Sequence, residues 1–334
     1  MQLPSWWRDR GARMGVAGLV LLATVGVGAP FFAPYSPRAQ DRTGFHRPPS
    51  LPGEGCSTRW LARDERGDTH LFGFEGCRVY VLGTDALGRD VLSRVLYGAR
   101  VSVTAAVLGV VFTVSFGALV GAAAALGGGV WDRVLMRGTE LVMALPALYL
   151  VLAFRNVFPD EITPGWSSLI LVGSLAVVGW CGVSRMVRGQ VLSLRERDFV
   201  ASAVAAGAGP ARVFFRHILP NTLPFLWLQA GLTLPYFLLG EATLSFLGLG
   251  VQEPHASWGN MLASAAQSYT SMIEHWWTLA VPGGALSLAV LGANLWIEGL
   301  RMAQGSRVGG VIGARTTAIP GNPRVQGQDL NRRT

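Results

Sequence analysis

"FVASAVAAGAGPARVFFRHILPN", Phe199 to Asn221, is a compact stretch of alanine, glycine and arginine set between two long apolar runs. Residues 199–206 favour helix, Gly207 and Gly209 interrupt it, and Pro210 suits the first turn of a second helix over 211–218, which Pro220 is expected to stop. Small side chains at Ala201, Ser202, Ala203, Ala205 and Ala206 leave a narrow surface that another protein can approach closely. From composition alone the segment reads either as a docking element or as a plain hairpin. Which it is depends on what the flanking runs are.

Those runs belong in lipid. Half of the 334 residues are hydrophobic and only 14% are charged, and the mean hydropathy is +0.37, values that soluble domains rarely show. All 28 basic residues are arginine, giving a formal charge of +8. Arginine gathered at the cytoplasmic face of a bilayer accounts for that excess without a nucleic-acid partner.

Six apolar stretches approach the roughly 20 helical residues that span a hydrocarbon core: 15–34, 101–126, 139–158, 166–187, 222–247 and 276–296. The third has an uninterrupted apolar part of only 141–154 and holds Pro146. It reads as a kinked span packed against its neighbours. With residues 1–14 inside the cell, Arg8, Arg10, Arg13, Arg133, Arg137, Arg185, Arg188, Arg195, Arg197, Arg212, Arg216 and Arg301 all fall on the cytoplasmic side, so both termini are expected there. A cleaved signal peptide is the other reading of the first run. Its apolar part exceeds the usual 7 to 15 residues and no A-x-A site follows.

The first outer segment, 35–100, is the least membrane-like. Residues 36–78 are rich in proline, glycine and charge and read as a surface excursion with little helix or regular sheet. They contain Cys56 and Cys77, two of three cysteines. In an oxidising compartment this pair can close a loop of about 22 residues, contributing roughly 3 kcal/mol in the chain-entropy model; two unpaired thiols are the alternative, and the spacing resembles no metal site. Then follows "LGTDALGRDVLSRVLYGAR", residues 82–100. Thr84 or Asp85 can cap a helix with Leu87, Val91, Leu92 and Val95 on one face and with Asp85–Arg89 and Asp90–Arg94 pairs, expected to lie along the outer interface.

Residues 199–221 resemble the "EAA...G.........LP" loop of ATP-binding-cassette importer permeases, with Ala201, Ser202 and Ala203 at the EAA positions, Gly207 at the glycine, and Leu219 and Pro220 closing the motif. The chain is similar to the dipeptide, oligopeptide and nickel permease family, in its partner type bearing "GTDxxGRDxxSRxxYGxR". That motif is met by Gly83, Thr84, Asp85, Gly88, Arg89, Asp90, Ser93, Arg94, Tyr97, Gly98 and Arg100. "RHILPN" from Arg216 and His217, "EATLSFLGLG" from Glu241, "SWGNML" from Ser257 and "PGGALSLAVLGANLW" from Pro282 follow in the family's order. Two departures stand out. Ala201 replaces the usual glutamate, and "MAQGSRVGG" replaces the Asp-Pro that usually follows "GLR", leading into a tail, 304–334, that reads as disordered.

The resemblance implies an all-α polytopic protein of six transmembrane helices, type I importer permease-like, in the bacterial inner membrane, with a core over 101–303 and a cytoplasmic coupling loop over 188–221. It implies a second homologous permease, two cytoplasmic ATPases that use ATP and magnesium, an extracytoplasmic substrate-binding protein, and peptide as cargo, with nickel or another small solute as alternatives. No cofactor is expected on this chain. A P-loop needs lysine, and the sequence has none. The competing class is an ion-gradient transporter, which needs an ionisable group within the bilayer. Glu241, well along the fifth run, is the residue for that role, or else a buried structural acid. Pro235, in the same run, reads as a gate kink or a static one. The histidines lie in loops or at span ends and no GxSxG occurs, so catalysis by this chain is not expected.

Overall fold

The structure, a computed structural model, describes residues 10–52, 56–63, 69–75, 77–146, 149–153, 164–267 and 269–317. Helix α1 (Arg10–Val27) stops at Gly28, ahead of Pro30, and a short α2 (Ala29–Phe32) follows. Next come two strands, β1 (Ser57–Arg63) and β2 (Thr69–Glu75), then α3 (Val91–Gly127) and α4 (Gly129–Ala144). A helical stretch at 149–153 is α5. Helix α6 (Pro164–Arg195), α7 (Asp198–Ala205), α8 (Pro210–Val213), a π-helical turn (Phe214–Ile218) and α9 (Leu219–Phe246) come next, then α10 (Trp258–Ala265), α11 (Tyr269–Glu274) and α12 (Trp277–Thr317).

Among the described residues, five helical runs are long and apolar enough to cross a bilayer: α1, α3, α6, the run from Pro210 to Phe246, and α12 up to Met302. The expected third span is cut by residues 147–148 and 154–163, which lie outside the described set; what is seen is that α4 ends at Ala144, before Pro146. Helix α3 is the hub, with 37 residues that span about 55 Å at ~1.5 Å per residue, so its ends stand clear of the hydrocarbon. It packs most extensively on α6, then on α9 and α1, while α1 lies along α12.

Close approach explains why α3 carries small residues. A Cβ on Gly121 would lie 2.2 Å from the Ser184 carbonyl oxygen, one on Gly117 2.8 Å from that of Trp180, and one on Gly109 2.4 Å from the Phe237 ring. These small residues serve contact within the chain, against α6 and α9. The central core forms where Phe237 and Leu238 of α9 meet Ala105 and Ala106 of α3, Ala176 of α6, and Ala289 and Ala293 of α12.

Four expectations are corrected. The helix expected from Thr84 or Asp85 begins only at Val91, capped by Asp90 and continuous with α3, so no separate interfacial helix forms. Gly83 and Gly88 have φ of +77° and +71°, which breaks the chain into turns. The excursion at 36–78 does hold regular sheet: β1 and β2 pair antiparallel, with Trp60 opposite Phe72 and Thr58 opposite Phe74. Alternating aromatic and β-branched residues favour that pairing over coil. Pro220 does not stop its helix. The π-turn carries a Leu219 N–H to Phe214 carbonyl bond, which re-registers the ladder just before the proline, and α9 runs on. Finally, α12 continues through 304–317, expected as tail; each further residue there adds one bond to a helix already nucleated.

Candidate functional site

Two sites stand at opposite ends of the bundle. At the first, α7 begins three residues after α6 ends and presents Ala201 and Ser202 to solvent. It closes on Gly207, at φ +81°, which a side chain would strain. The Gly207 N–H donates to the Val204 carbonyl at 2.9 Å and the Ala208 N–H to that of Ala203 at 3.0 Å. This is a Schellman closure. Around the Cβ positions of Gly207 and Gly209 the space is open. Pro210 then starts α8, and the chain re-enters the bundle through the π-turn.

The hairpin is fastened from below. Val200, Val213 and Ile218 are buried together with Ala122 and Ala125 of α3 and with Val183, Val187 and Val191 of α6. Arg195 Nη1 donates to the Ala125 carbonyl at 2.6 Å, and Arg188 of α6 pairs with Asp132 of α4. Of the residues expected here, Ala201, Ser202, Gly207, Arg216 and Pro220 are exposed, and Ala203, His217 and Leu219 are half-buried. The π-turn that carries Arg216 and His217 also bears Phe215, 66% exposed. Asp132, which the sequence reading passed over, has as its one signal an acid beside the arginines of that end.

At the other end the motif from Gly83 to Arg94 folds into a knot of turns. Asp85 Oδ1 accepts from the backbone N–H groups of Leu87 and Arg89, both at 2.9 Å, and its Oδ2 from Arg89 Nε at 2.7 Å. Buried Thr84 donates its hydroxyl to the Gly44 carbonyl and accepts from the Arg47 N–H at 2.7 Å; its own carbonyl accepts from Trp277 Nε1 at 3.1 Å. A Cβ on Gly88 would lie 2.1 Å from the Asp41 carbonyl oxygen. Asp90 Oδ2 accepts from the Ser93 N–H at 2.8 Å and from its hydroxyl at 2.6 Å. Burial holds the Asp90 carboxyl up at about 6.

The Asp85–Arg89 pair is therefore present and the Asp90–Arg94 pair is not, because Asp90 is turned to its cap. Arg94 instead meets Glu253, Nη2 to Oε1 at 2.8 Å, and Arg89 meets the same carboxylate, Nη2 to Oε1 at 3.1 Å. The two arginines hold the Glu253 carboxyl below its usual range, against the desolvation that is the largest influence on it. Sequence reasoning missed Glu253, which lies between two recognised motifs, because Asp90 stood by spacing as the partner of Arg94. In the same outer segment of the sequence, Cys56 and Cys77 are joined in a disulfide with their Cα atoms 5.5 Å apart.

Between the two ends, Glu241 is fully buried in α9. Ser245 Oγ, one turn on in the same helix, donates to its Oε1 at 2.8 Å, and its Oε2 is buried without a hydrogen-bond partner. Pro235 lies inside α9, two turns before it, and withholds an N–H from the Gly231 carbonyl. Among the described residues no group of three or more histidine, cysteine, aspartate or glutamate side chains is placed to hold a metal ion.

A bundle of spanning helices with a capped hairpin at one end and an ion-locked knot at the other fits the fold of a type I importer permease. Consistent with that fold, a chain of the MetNI methionine ABC transporter, solved in inward-facing conformations, superposes with a TM-score of 0.50 at 16% identity over 64% of this chain and 96% of that one. Residues 114–301 match the family model of the binding-protein-dependent transport system inner membrane component, and this protein belongs to that family. It is 38% identical to a protein of Brucella suis biovar 1 (strain 1330) that carries a provisional peptide-permease name, over 87% of this chain and 86% of that one. It is 33% identical to the dipeptide transport system permease protein DppC of Bacillus subtilis (strain 168), over 90% of this chain and 83% of that one.

Proposed function

We propose that this chain forms half of the translocation path of an ATP-driven importer of di- or oligopeptides, and that the hairpin from Asp198 to Ile218 receives the motion of a cytoplasmic ATPase. The observation that carries the reading is the hairpin itself: small exposed residues on a turn closed by Gly207, fastened to α3 and α6 by a buried patch. A groove pressing on it moves both helices together. Peptide cargo rests on the names of the relatives in Brucella and Bacillus. The arginines at the hairpin end support placing that end in the cytoplasm. A second permease, paired ATPases and an external binding protein complete the assembly. The ATP and magnesium are theirs.

Tagging the chain in its native host, purifying it in mild detergent and identifying the copurifying polypeptides tests this. A second permease and one or two P-loop ATPases are expected, the ATPases being lost on Gly207→Trp while the permease partner stays. A chain that purifies alone overturns the reading.

A further inference from the structure

The knot at the end opposite the hairpin contains a feature that coupling to an ATPase does not use. The side chains of Arg89 and Arg94 are 4% and 1% exposed, yet both are satisfied by a carboxylate that is 39% exposed, that of Glu253. Behind them Asp85 holds Arg89 through Nε at 2.7 Å and stands 3.6 Å from Arg94 Nε. The two guanidiniums are thus fixed by their own turn, and only their front is closed by a residue 164 positions away from Arg89. A cavity of about 200 Å³ adjoins this front, lined also by Met261, Ser264, Gln267 and Thr278.

We propose that Arg89 and Arg94 form a carboxylate receptor, occupied by Glu253 in this state, and that a carboxylate-bearing solute entering the adjoining cavity displaces Glu253 and frees the turn at 252–255. Without Glu253, Asp85 alone faces two neighbouring buried guanidiniums, one negative charge against two positive, so in the parent chain departure of the Glu253 carboxylate is disfavoured unless another carboxylate takes its place. The planar forks match a carboxylate bidentately and have no equivalent partner in a neutral amide. The freed turn leads into α10, whose Trp258 rests on α3, its backbone N–H donating to Ser102 Oγ and its indole Nε1–H to the Val95 carbonyl. Displacement is therefore felt at the contact between α10 and α3. The inference rests on the proposed placement of this end outside the cell.

The test uses the full chain, with its copurified subunits, in lipid nanodiscs. A spin label on Gln252→Cys reports the turn, and trialanine and trialanine amide are the probes. Trialanine is expected to mobilise the label and the amide not to. Glu253→Gln, on an exposed turn, is expected to be mobile from the start and to bind trialanine about tenfold tighter, because an internal competitor has been removed. A purely structural ion pair would give weaker or unchanged binding in that variant. Equal responses to acid and amide, or affinity unchanged in Glu253→Gln, overturn the receptor. Reaction of Gln252→Cys with a membrane-impermeant maleimide in intact cells reports the placement separately, so a site facing inward and an absent receptor give different results.

Discussion

Asp90 shows how a single residue sets where a span begins. Its carboxylate caps α3, yet burial raises its titration to about 6 from 3.8. The folded state thus keeps a proton that the unfolded chain has released between those values. That contribution to stability is complete below about pH 4 and is lost as pH rises through about 6. Asp90→Asn keeps a capping oxygen and carries no charge, so its stability relative to the parent is expected to improve from pH 4 to pH 8 in thermal unfolding of the purified protein. Asp90→Ala loses the cap, at about 1 kcal/mol. A parent-to-Asn difference independent of pH would contradict the burial account. The residue was legible as a motif member from sequence, but its role was not: i, i+4 spacing pointed to Arg94, and only the turn imposed by Gly88 aims the carboxylate at Ser93 instead. Glu253 was hidden for a related reason, since contacts across 164 positions leave no local periodicity.

At the scale of elements, close helix contact and turn closure make opposite demands on glycine. Gly121 meets the Ser184 backbone, whereas Gly189, in the same helix pair, has open space at its Cβ position. Gly121→Ala is expected to destabilise by about 1–3 kcal/mol through overpacking, and Gly189→Ala to stabilise by up to about 1 kcal/mol through helix propensity. Thermal unfolding in detergent checks both, and similar effects at the two positions would count against the described α3–α6 contact. The strand pair is held at its open end by the Cys56–Cys77 bridge. Reduction is expected to speed amide exchange within 57–75 and to leave the spanning helices unchanged. Apolar run lengths placed most helices from sequence. The strands and the passage of α9 through Pro220 were not legible, because proline and glycine content signalled coil in one case and a helix stop in the other, while cross-strand pairing and the π-turn decided otherwise.

Across the whole molecule, the hairpin and the ion-locked knot are linked by α3, which touches both, and Glu241 lies on the path between them. It is fully buried and held within its own helix by Ser245 Oγ on Oε1, which fits a structural acid. The proposed coupling has energy enter at the hairpin and not through proton traffic in α9. The most direct measurement is peptide uptake into proteoliposomes that hold the purified complex with ATP enclosed and no ion gradient imposed. The account predicts uptake that needs ATP hydrolysis, survives a protonophore, persists within about twofold in Glu241→Gln, which keeps an acceptor oxygen for Ser245, and is lost in Gly207→Trp. Uptake without ATP that follows a proton gradient and fails in Glu241→Gln would contradict it.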